Sequence, residues 1–185
     1  QDKQIIGFEA LSRGPAGSYY ENPYTLFELA KQSCLVFDID RLCKKRALAN
    51  AFRMHSNFKL FVNCLPVTIE DPEFQGDFLR GLLNASGLKP HNIVLEISER
   101  EAVEDVRSLH DAIEYYSNLG FLTAVDDTGA GYSNMEMIVE LKPNFIKLDI
   151  SMVRDVNTNQ LKQELIRSLV SLSHKMGAAV IAEGV

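Results

Sequence analysis

Residues 124–133 read Ala-Val-Asp-Asp-Thr-Gly-Ala-Gly-Tyr-Ser, a segment with two adjacent aspartates and two glycines. An apolar run from Phe121 to Val125 ends in two adjacent carboxylates, which predicts a buried strand with a charged end. The glycines permit a tight loop, and Ser133 followed by Glu136 has the form of a capping box, which predicts a helix start. Neighbouring carboxylates repel each other, so we expect a cation at this strand end. The alternative is a solvated Asp-Asp turn.

Composition places the chain among ordinary globular proteins. It has 185 residues, 46% of them hydrophobic and 24% charged, which suits one folded domain and excludes disorder. No apolar run reaches membrane-spanning length. The cysteines Cys34, Cys43 and Cys64 show no CxxC spacing, so we expect reduced thiols and a cytoplasmic location. A net charge of −6 disfavours duplex nucleic acid as a partner.

Predicted strands and helices alternate along the chain. Apolar runs that predict strands begin at Ile5, Leu60, Ile93, Phe121, Phe145 and Ala178. Helices are predicted from Asn22-Pro23, over about 40–52, from Asp71-Pro72, over about 99–119, from Ser133 and over about 161–176. The continuous apolar strands are typical of a parallel sheet that is covered on both faces. This pattern leaves either a (β/α) barrel or a doubly wound sheet.

Polar residues at the predicted strand ends favour the barrel. They are Glu9, Asn63, Glu96, Asp126 with Asp127, Lys147 and Glu183. A doubly wound sheet gathers its functional groups at one switch point, whereas all strand ends of a barrel converge on one face. We therefore expect an α/β fold of the TIM-type (β/α)8 barrel class, with these side chains in one bowl.

The predicted bowl offers oxygen ligands, and such ligands select Mg²⁺ or Mn²⁺. So many carboxylates require more than one divalent cation, and two cations can promote an in-line displacement at phosphorus. Lys147 would hold the attacking water or the developing negative charge, and Arg13 would bind a phosphate in a fork. A Schiff-base lysine, as in an unrelated barrel aldolase, is the alternative role for Lys147.

Six motifs in order resemble those of the EAL-domain cyclic-di-GMP phosphodiesterases over nearly the whole chain. The matching segments are Glu9 to Arg13, Asn63 with Pro66, Glu96 to Glu99, Asp126 to Ser133, Lys147 with Asp149, and Ala182 to Val185. The resemblance implies that residues 1–185 are one EAL domain that hydrolyses cyclic di-GMP to linear pGpG.

The resemblance also implies roles for individual residues. Metal ligands would be Glu9, Asn63, Glu96, Asp126 and Asp127, with Asp126 shared by two cations. Lys147 would contact the attacking water, Glu183 would act as general base or contact metal-bound water, and Glu99 would anchor the loop after Asp127. Leu11, Arg13 and Asp149 are assigned to substrate binding. The alternative function is a catalytically silent cyclic-di-GMP receptor.

Expected partners are cyclic di-GMP, a second copy bound through the loop after Asp127, and a sensory or GGDEF-type domain elsewhere in the protein. No membrane contact is expected from this segment. Thr128, Ala130 and Gly14 depart from the family pattern, which has Phe, Thr and often Trp there. The family's first strand and its last strand and helix have no counterpart in these residues, so we expect an incomplete barrel.

Overall fold

The computed structural model describes residues 4–51, 57–68, 71, 76–98, 106–129 and 135–185. Within these ranges the strands are β1 (Gly7–Ala10), β2 (Lys59–Asn63), β3 (Ile93–Ser98), β4 (Leu122–Thr128), β5 (Phe145–Leu148) and β6 (Ala179–Ala182). The helices are α1 (Pro23–Gln32), α2 (Val36–Asn50), α3 (Gly76–Ser86), α4 (Val106–Asn118), α5 (Met135–Leu141), α6 (Ile150–Val153) and α7 (Gln160–Met176). The chain divides into two compact units, Gln1–Val94 and Leu95–Val185, and the boundary falls inside β3.

In the first unit, β1 is parallel to β2, and β3 begins on the other side of β2. Helices α1 and α2 form the connection from β1 to β2. Helix α1 starts where the sequence predicts, because the Asn22 side chain accepts a hydrogen bond from the Tyr24 N–H at 2.8 Å and Pro23 follows the cap. The buried residues Leu60, Phe61 and Val62 make β2 part of the core of this unit.

In the second unit, the strand order from the end of β3 through β4 and β5 to β6 follows the chain, and β5 is parallel to both of its neighbours. Val125 and Ile146 face each other in register and are almost fully buried. Helix α7 is capped by Asn159 before its first residue and by Gly177 after its last residue. Gly177 has a φ of 79°, which is the left-handed conformation that favours glycine at a helix end. The alternating order confirms the predicted α/β class.

Element boundaries differ from the predictions in a few places. Helix α2 begins at Val36, four residues before the predicted start, and the preceding Leu35 makes no side-chain cap that the sequence could reveal. Strand β1 begins at Gly7 instead of Ile5. The predicted helix starts near Pro72, Glu99 and Ser133 lie outside the described residues.

Candidate metal centre

A β-bulge places the two adjacent aspartates of β4 opposite one lysine of β5. Val125 pairs with Ile146 and Thr128 pairs with Leu148, so two residues on β4 face the single residue Lys147. The strand therefore continues through the carboxylates to Thr128, which corrects the prediction that it ends at Val125. Such bulges redirect side chains and are common beside active sites.

The second aspartate of the bulge has left-handed backbone. Asp127 has a φ of 57°, a conformation that Asp and Asn tolerate better than most residues. Its N–H donates to Asp126 Oδ1 at 2.8 Å, and the Ser98 hydroxyl on β3 lies 3.5 Å from Asp127 Oδ2. The contact between Ser98 and Asp127 was not anticipated from the sequence.

Lys147 joins carboxylates from three strand ends. Its Nζ lies 2.7 Å from Glu96 Oε1, 2.8 Å from Glu183 Oε1 and 3.1 Å from Asp126 Oδ2. The side chains of Lys147 and Glu96 are 5% and 0% exposed, while those of Asp126 and Glu183 are 15% and 29% exposed. The group therefore runs from the interior toward solvent, with Glu96 at its buried end.

The surroundings of Lys147 keep it protonated. Burial alone lowers the pKa of Lys147, but hydrogen bonds to Glu183 and Glu96 and the charges of Glu96 and Asp126 outweigh burial. The pKa of Lys147 consequently lies above its ordinary value. A permanently charged ammonium donates hydrogen bonds and stabilises negative charge, whereas a Schiff-base lysine must lose its proton before it attacks a carbonyl.

Asp126, Asp127 and Glu183 form a set that fits a divalent cation. Each offers a carboxylate oxygen, and these oxygens all lie within 4.8 Å of one another. Carboxylates at such separations repel each other unless a cation lies among them. Oxygen-only ligands match the preference of Mg²⁺ and Mn²⁺. Another group, His110 with Asp111 and Glu114, lies on α4 and all three of its members are exposed.

Glu9 and Asn63 share one face of the sheet in the first unit. Glu9 pairs with Phe61 in the parallel register, and Asn63 lies two residues beyond Phe61, so the alternation of side chains places all three on the same face. Glu9 and Asn63 are both exposed, in contrast to the buried Phe61. Their assignment as metal ligands stays a prediction.

Leu11 and Arg13 line a cavity of about 1080 Å³ in the first unit. Its wall is largely apolar and includes Leu26, Ile39 and Leu42. A mostly apolar cavity with a few polar groups is typical of a ligand site. The structure thus brings together two of the three residues assigned to substrate binding.

A close backbone approach explains the glycine at position 14. A Cβ atom on Gly14 would lie 1.9 Å from the Tyr20 carbonyl oxygen, and the Gly14 N–H donates to the Glu21 carbonyl at 3.3 Å. A side chain larger than that of glycine at this position would clash with the Tyr20 carbonyl unless the segment around Tyr20 moved. Gly14 and Tyr20 both line the cavity.

Of the four other residues singled out from the sequence, the structure describes Asp149 and Thr128. Asp149 caps the short helix α6 by accepting a hydrogen bond from the Ser151 N–H at 2.8 Å. Thr128 is fully buried at the end of β4. Glu99 and Ala130 lie outside the described residues.

Sequence reasoning missed a buried polar network in the first unit. Lys44 on α2 forms an ion pair with Asp40, and the Thr68 hydroxyl donates to Asp40 Oδ2 at 2.5 Å. Asp40 and Lys44 stand four residues apart on one helix, which is the spacing of a helical ion pair. The four-residue spacing could have indicated the ion pair from the sequence, although such a pair is usually exposed on the helix surface.

The fold and the carboxylate-rich strand ends define an α/β protein of the TIM-type barrel class, with a candidate site at the carboxyl ends of its strands. All of residues 1–185 match the EAL domain model, and the chain belongs to the EAL domain family. This confirms the resemblance that the sequence motifs indicated.

Similar proteins are linked by name to cyclic di-GMP. The chain is 34% identical over 122 residues to the probable cyclic di-GMP phosphodiesterase PdeA of Escherichia coli (strain K12), covering 66% of this chain and 17% of that protein. It is also 31% identical to a standalone EAL protein from Vibrio cholerae O395 in a c-di-GMP-bound form. The two structures superpose with a TM-score of 0.86, and the match covers 99% of this chain and 76% of that protein.

Two structures of Klebsiella pneumoniae BlrP1 with c-di-GMP, one with calcium and one with manganese, are each 30% identical to the chain. Both have a TM-score of 0.85 and cover 99% of this chain and 46% of theirs. These neighbours confirm the incomplete TIM-type barrel. The chain spans less than half the length of PdeA and BlrP1. Among the described residues, no helix has the length and apolar character needed to cross a membrane.

Proposed function

We propose that this EAL domain hydrolyses cyclic di-GMP to linear pGpG in bacterial second-messenger signalling, with Mg²⁺ or Mn²⁺ as cofactor. The observation that carries the proposal is the position of Lys147, whose Nζ contacts three carboxylates beside the Asp126, Asp127 and Glu183 set. Family membership and the c-di-GMP complexes of similar proteins support the choice of substrate.

The donor atoms of the second unit fit the cofactor. Asp126 and Asp127 would hold cations together with Glu96, and Glu9 and Asn63 are proposed as further ligands from the first unit. Bound divalent cations would supply activation of water and neutralisation of charge on the phosphodiester. The buried position of Glu96 keeps this side chain in one orientation, which suits a ligand.

The chemistry is an in-line hydrolysis. The oxygen of a water molecule forms a bond to phosphorus, the bond from phosphorus to the 3′ oxygen breaks, and the product keeps a 5′ phosphate. Glu183 is the most exposed carboxylate around Lys147, and we assign it the acceptance of the water proton. Lys147 donates hydrogen bonds to the attacking water and stays charged throughout.

Arg13 is proposed to bind a phosphate oxygen of the substrate, and Leu11 to contact it through apolar surface. Both line the cavity of the first unit. Asp149 and Glu99 are proposed to orient loops, Asp149 through its cap on α6. A homodimer through the loop after Asp127, a sensory or GGDEF-type partner domain and a cytoplasmic location belong to the same proposal.

Product analysis tests the proposal. The chain is incubated with cyclic di-GMP and Mn²⁺, with Mg²⁺, or with EDTA, and the nucleotides are separated by anion-exchange chromatography and identified by mass. We expect pGpG with either metal and none with EDTA, and we expect Glu183→Gln to lose most turnover. Asp111→Asn is the control, because this exposed aspartate lies on α4.

Equilibrium dialysis with cyclic di-GMP separates hydrolysis from binding. Binding without product in both metals would make the chain a receptor and would overturn the enzymatic proposal. Absence of both binding and product would overturn the proposed ligand as well. Borohydride trapping of a carbonyl substrate on Lys147 would instead indicate the aldolase alternative.

A further inference from the structure

The short helix α6 packs against the glycines that follow both acidic strand ends of the second unit. A Cβ atom on Gly129, just after β4, would lie 2.4 Å from Met152 Cγ. A Cβ atom on Gly184, just after β6 and Glu183, would lie 2.4 Å from Ile150 Cδ1. The side chains of Met152 and Ile150 on α6 therefore pack directly against the backbone of these two glycines.

These two glycines cannot easily be replaced. Gly129 has a φ of 94° and Gly184 has a φ of 67°, so each adopts the left-handed region that side chains disfavour. Close approach and positive φ coincide at both positions. Each glycine lies within three residues of a carboxylate of the candidate metal set.

Backbone hydrogen bonds connect the start of α6 to the same two strand ends. The Asp149 N–H donates to the Thr128 carbonyl at 3.1 Å, and the Glu183 N–H donates to the Leu148 carbonyl at 3.1 Å. The segment at 148–149 is thus bonded to β4 on one side and to the residue after β6 on the other.

Helix α6 is also fixed from α7. Lys162 Nζ donates to the carbonyls of Ser151 at 2.6 Å and Arg154 at 2.8 Å. These contacts hold the carbonyl end of a helix that is only four residues long and has little stability of its own. The position of α6 is therefore determined by its neighbours on β4, β6 and α7.

We propose that Ile150 and Met152 are positioning residues that set the separation between Glu183 and the pair Asp126 and Asp127. The inference rests on the proposed function, because it takes Asp126 and Asp127 as ligands of a divalent cation and Glu183 as the carboxylate that contacts the metal-bound water. Lys147 offsets part of the repulsion between Asp126 and Glu183, and the repulsion that remains acts to spread the three carboxylates apart. Packing of α6 on Gly129 and Gly184 opposes this spread and keeps the ligands ready for the cation.

Ordinary core packing predicts a different result. A residue that only fills space lowers the stability of the fold when it is shortened, and it leaves the cation affinity of the folded chain unchanged. Leu169 on α7 is buried, with 5% exposure against 8% for Met152, and it serves as the matched control. Measurements well below the melting temperature keep each variant folded, and circular dichroism verifies this.

The experiment measures Mn²⁺ binding by the 185-residue chain from the electron paramagnetic resonance signal of the free ion. We expect Met152→Ala and Ile150→Ala to weaken Mn²⁺ binding by about tenfold. Met152→Leu keeps most of the volume and should stay within about twofold of the unsubstituted chain, as should Leu169→Ala.

A double substitution provides a further test at the same site. Gly129→Ala should weaken Mn²⁺ binding, because its Cβ meets Met152. Met152→Ala removes the three atoms nearest to this Cβ, which are Cγ, Sδ and Cε of Met152. In the Gly129→Ala background, Met152→Ala should therefore strengthen binding, which is opposite in sign to its effect in the unsubstituted chain.

The outcomes separate this inference from the proposed function. Unchanged Mn²⁺ affinity in Met152→Ala and Ile150→Ala would overturn the positioning role while the metal site stands. Equal losses in Leu169→Ala would also overturn it, since the effect would then follow general packing. An unsubstituted chain that binds no Mn²⁺ would overturn the metal site and this inference together.

Discussion

Lys147 Nζ and Glu96 Oε1 lie 2.7 Å apart on two different strands, and both side chains are almost fully buried. A buried carboxylate without a counter-charge is strongly unfavourable. The lysine therefore compensates the deepest carboxylate of the candidate site, and it does the same for Asp126 and Glu183 closer to solvent.

We expect Lys147→Met to lower the free energy of unfolding by about 3–5 kcal/mol in metal-free buffer, because it removes the ammonium that compensates the buried charge of Glu96. Urea unfolding followed by circular dichroism measures the change. Lys45→Met is the control, since Lys45 is exposed on α2. A loss below about 1 kcal/mol would contradict the compensating role of Lys147.

The buried lysine of the first unit predicts a dependence on pH. Burial alone lowers the pKa of Lys44, but Cys64 and Asp40 raise it by more, so it lies above the ordinary value. Below the ordinary lysine pKa of about 10.4, both folded and unfolded chains hold this proton. Above it the unfolded chain loses the proton first, so the stabilisation by Lys44 decreases as pH rises.

We therefore expect the stability difference between the unsubstituted chain and Lys44→Met to be constant from about pH 6 to 9 and to shrink above about pH 10. Urea unfolding at each pH measures it, and Lys45→Met corrects for the loss of one lysine. A difference that grows with pH in the alkaline range would contradict the raised pKa of Lys44.

The cysteines should differ in reactivity. Burial raises the pKa of the Cys43 thiol, the charge of Asp40 adds to this, and a hydrogen bond with Ser12 opposes it. Because the thiolate is the nucleophile, iodoacetamide at pH 7.5 should alkylate Cys43 about tenfold more slowly than the exposed Cys34. Peptide mass spectrometry gives both rates, and they should become similar in urea. Equal rates in the folded chain would refute the prediction.

Asp127→Asn should reduce turnover more than substrate binding. Asparagine tolerates the left-handed φ of 57°, so the bulge is retained while one negative charge is lost. We expect kcat to fall about 10- to 100-fold with a small change in KM. Steady-state hydrolysis of cyclic di-GMP gives both constants, with Asp111→Asn as control. Equal losses in affinity and rate would argue against this role.

The alternation of strands and helices and the grouping of Glu96, Asp126, Lys147 and Glu183 were predictable from sequence. Parallel strands present their carboxyl ends on one side, so a polar residue at each strand end implies proximity. This inference of proximity requires no knowledge of individual side-chain contacts.

Two other features were not predictable, because they depend on contacts between distant segments. Adjacent aspartates after an apolar run look the same whether the strand stops or continues through a bulge, and only the pairing with Lys147 distinguishes these cases. The close approach of the Tyr20 carbonyl to Gly14 likewise depends on the course of the intervening loop.

The most direct test of the account is the initial rate of pGpG formation from cyclic di-GMP by the chain and by Glu96→Gln, each with saturating Mn²⁺. We predict Mn²⁺-dependent pGpG formation by the unsubstituted chain and loss of at least about 99% of this rate in Glu96→Gln, a change of roughly 10². Hydrolysis by Glu96→Gln at the unsubstituted rate would contradict the assignment of the carboxylates around Lys147 as the catalytic metal site.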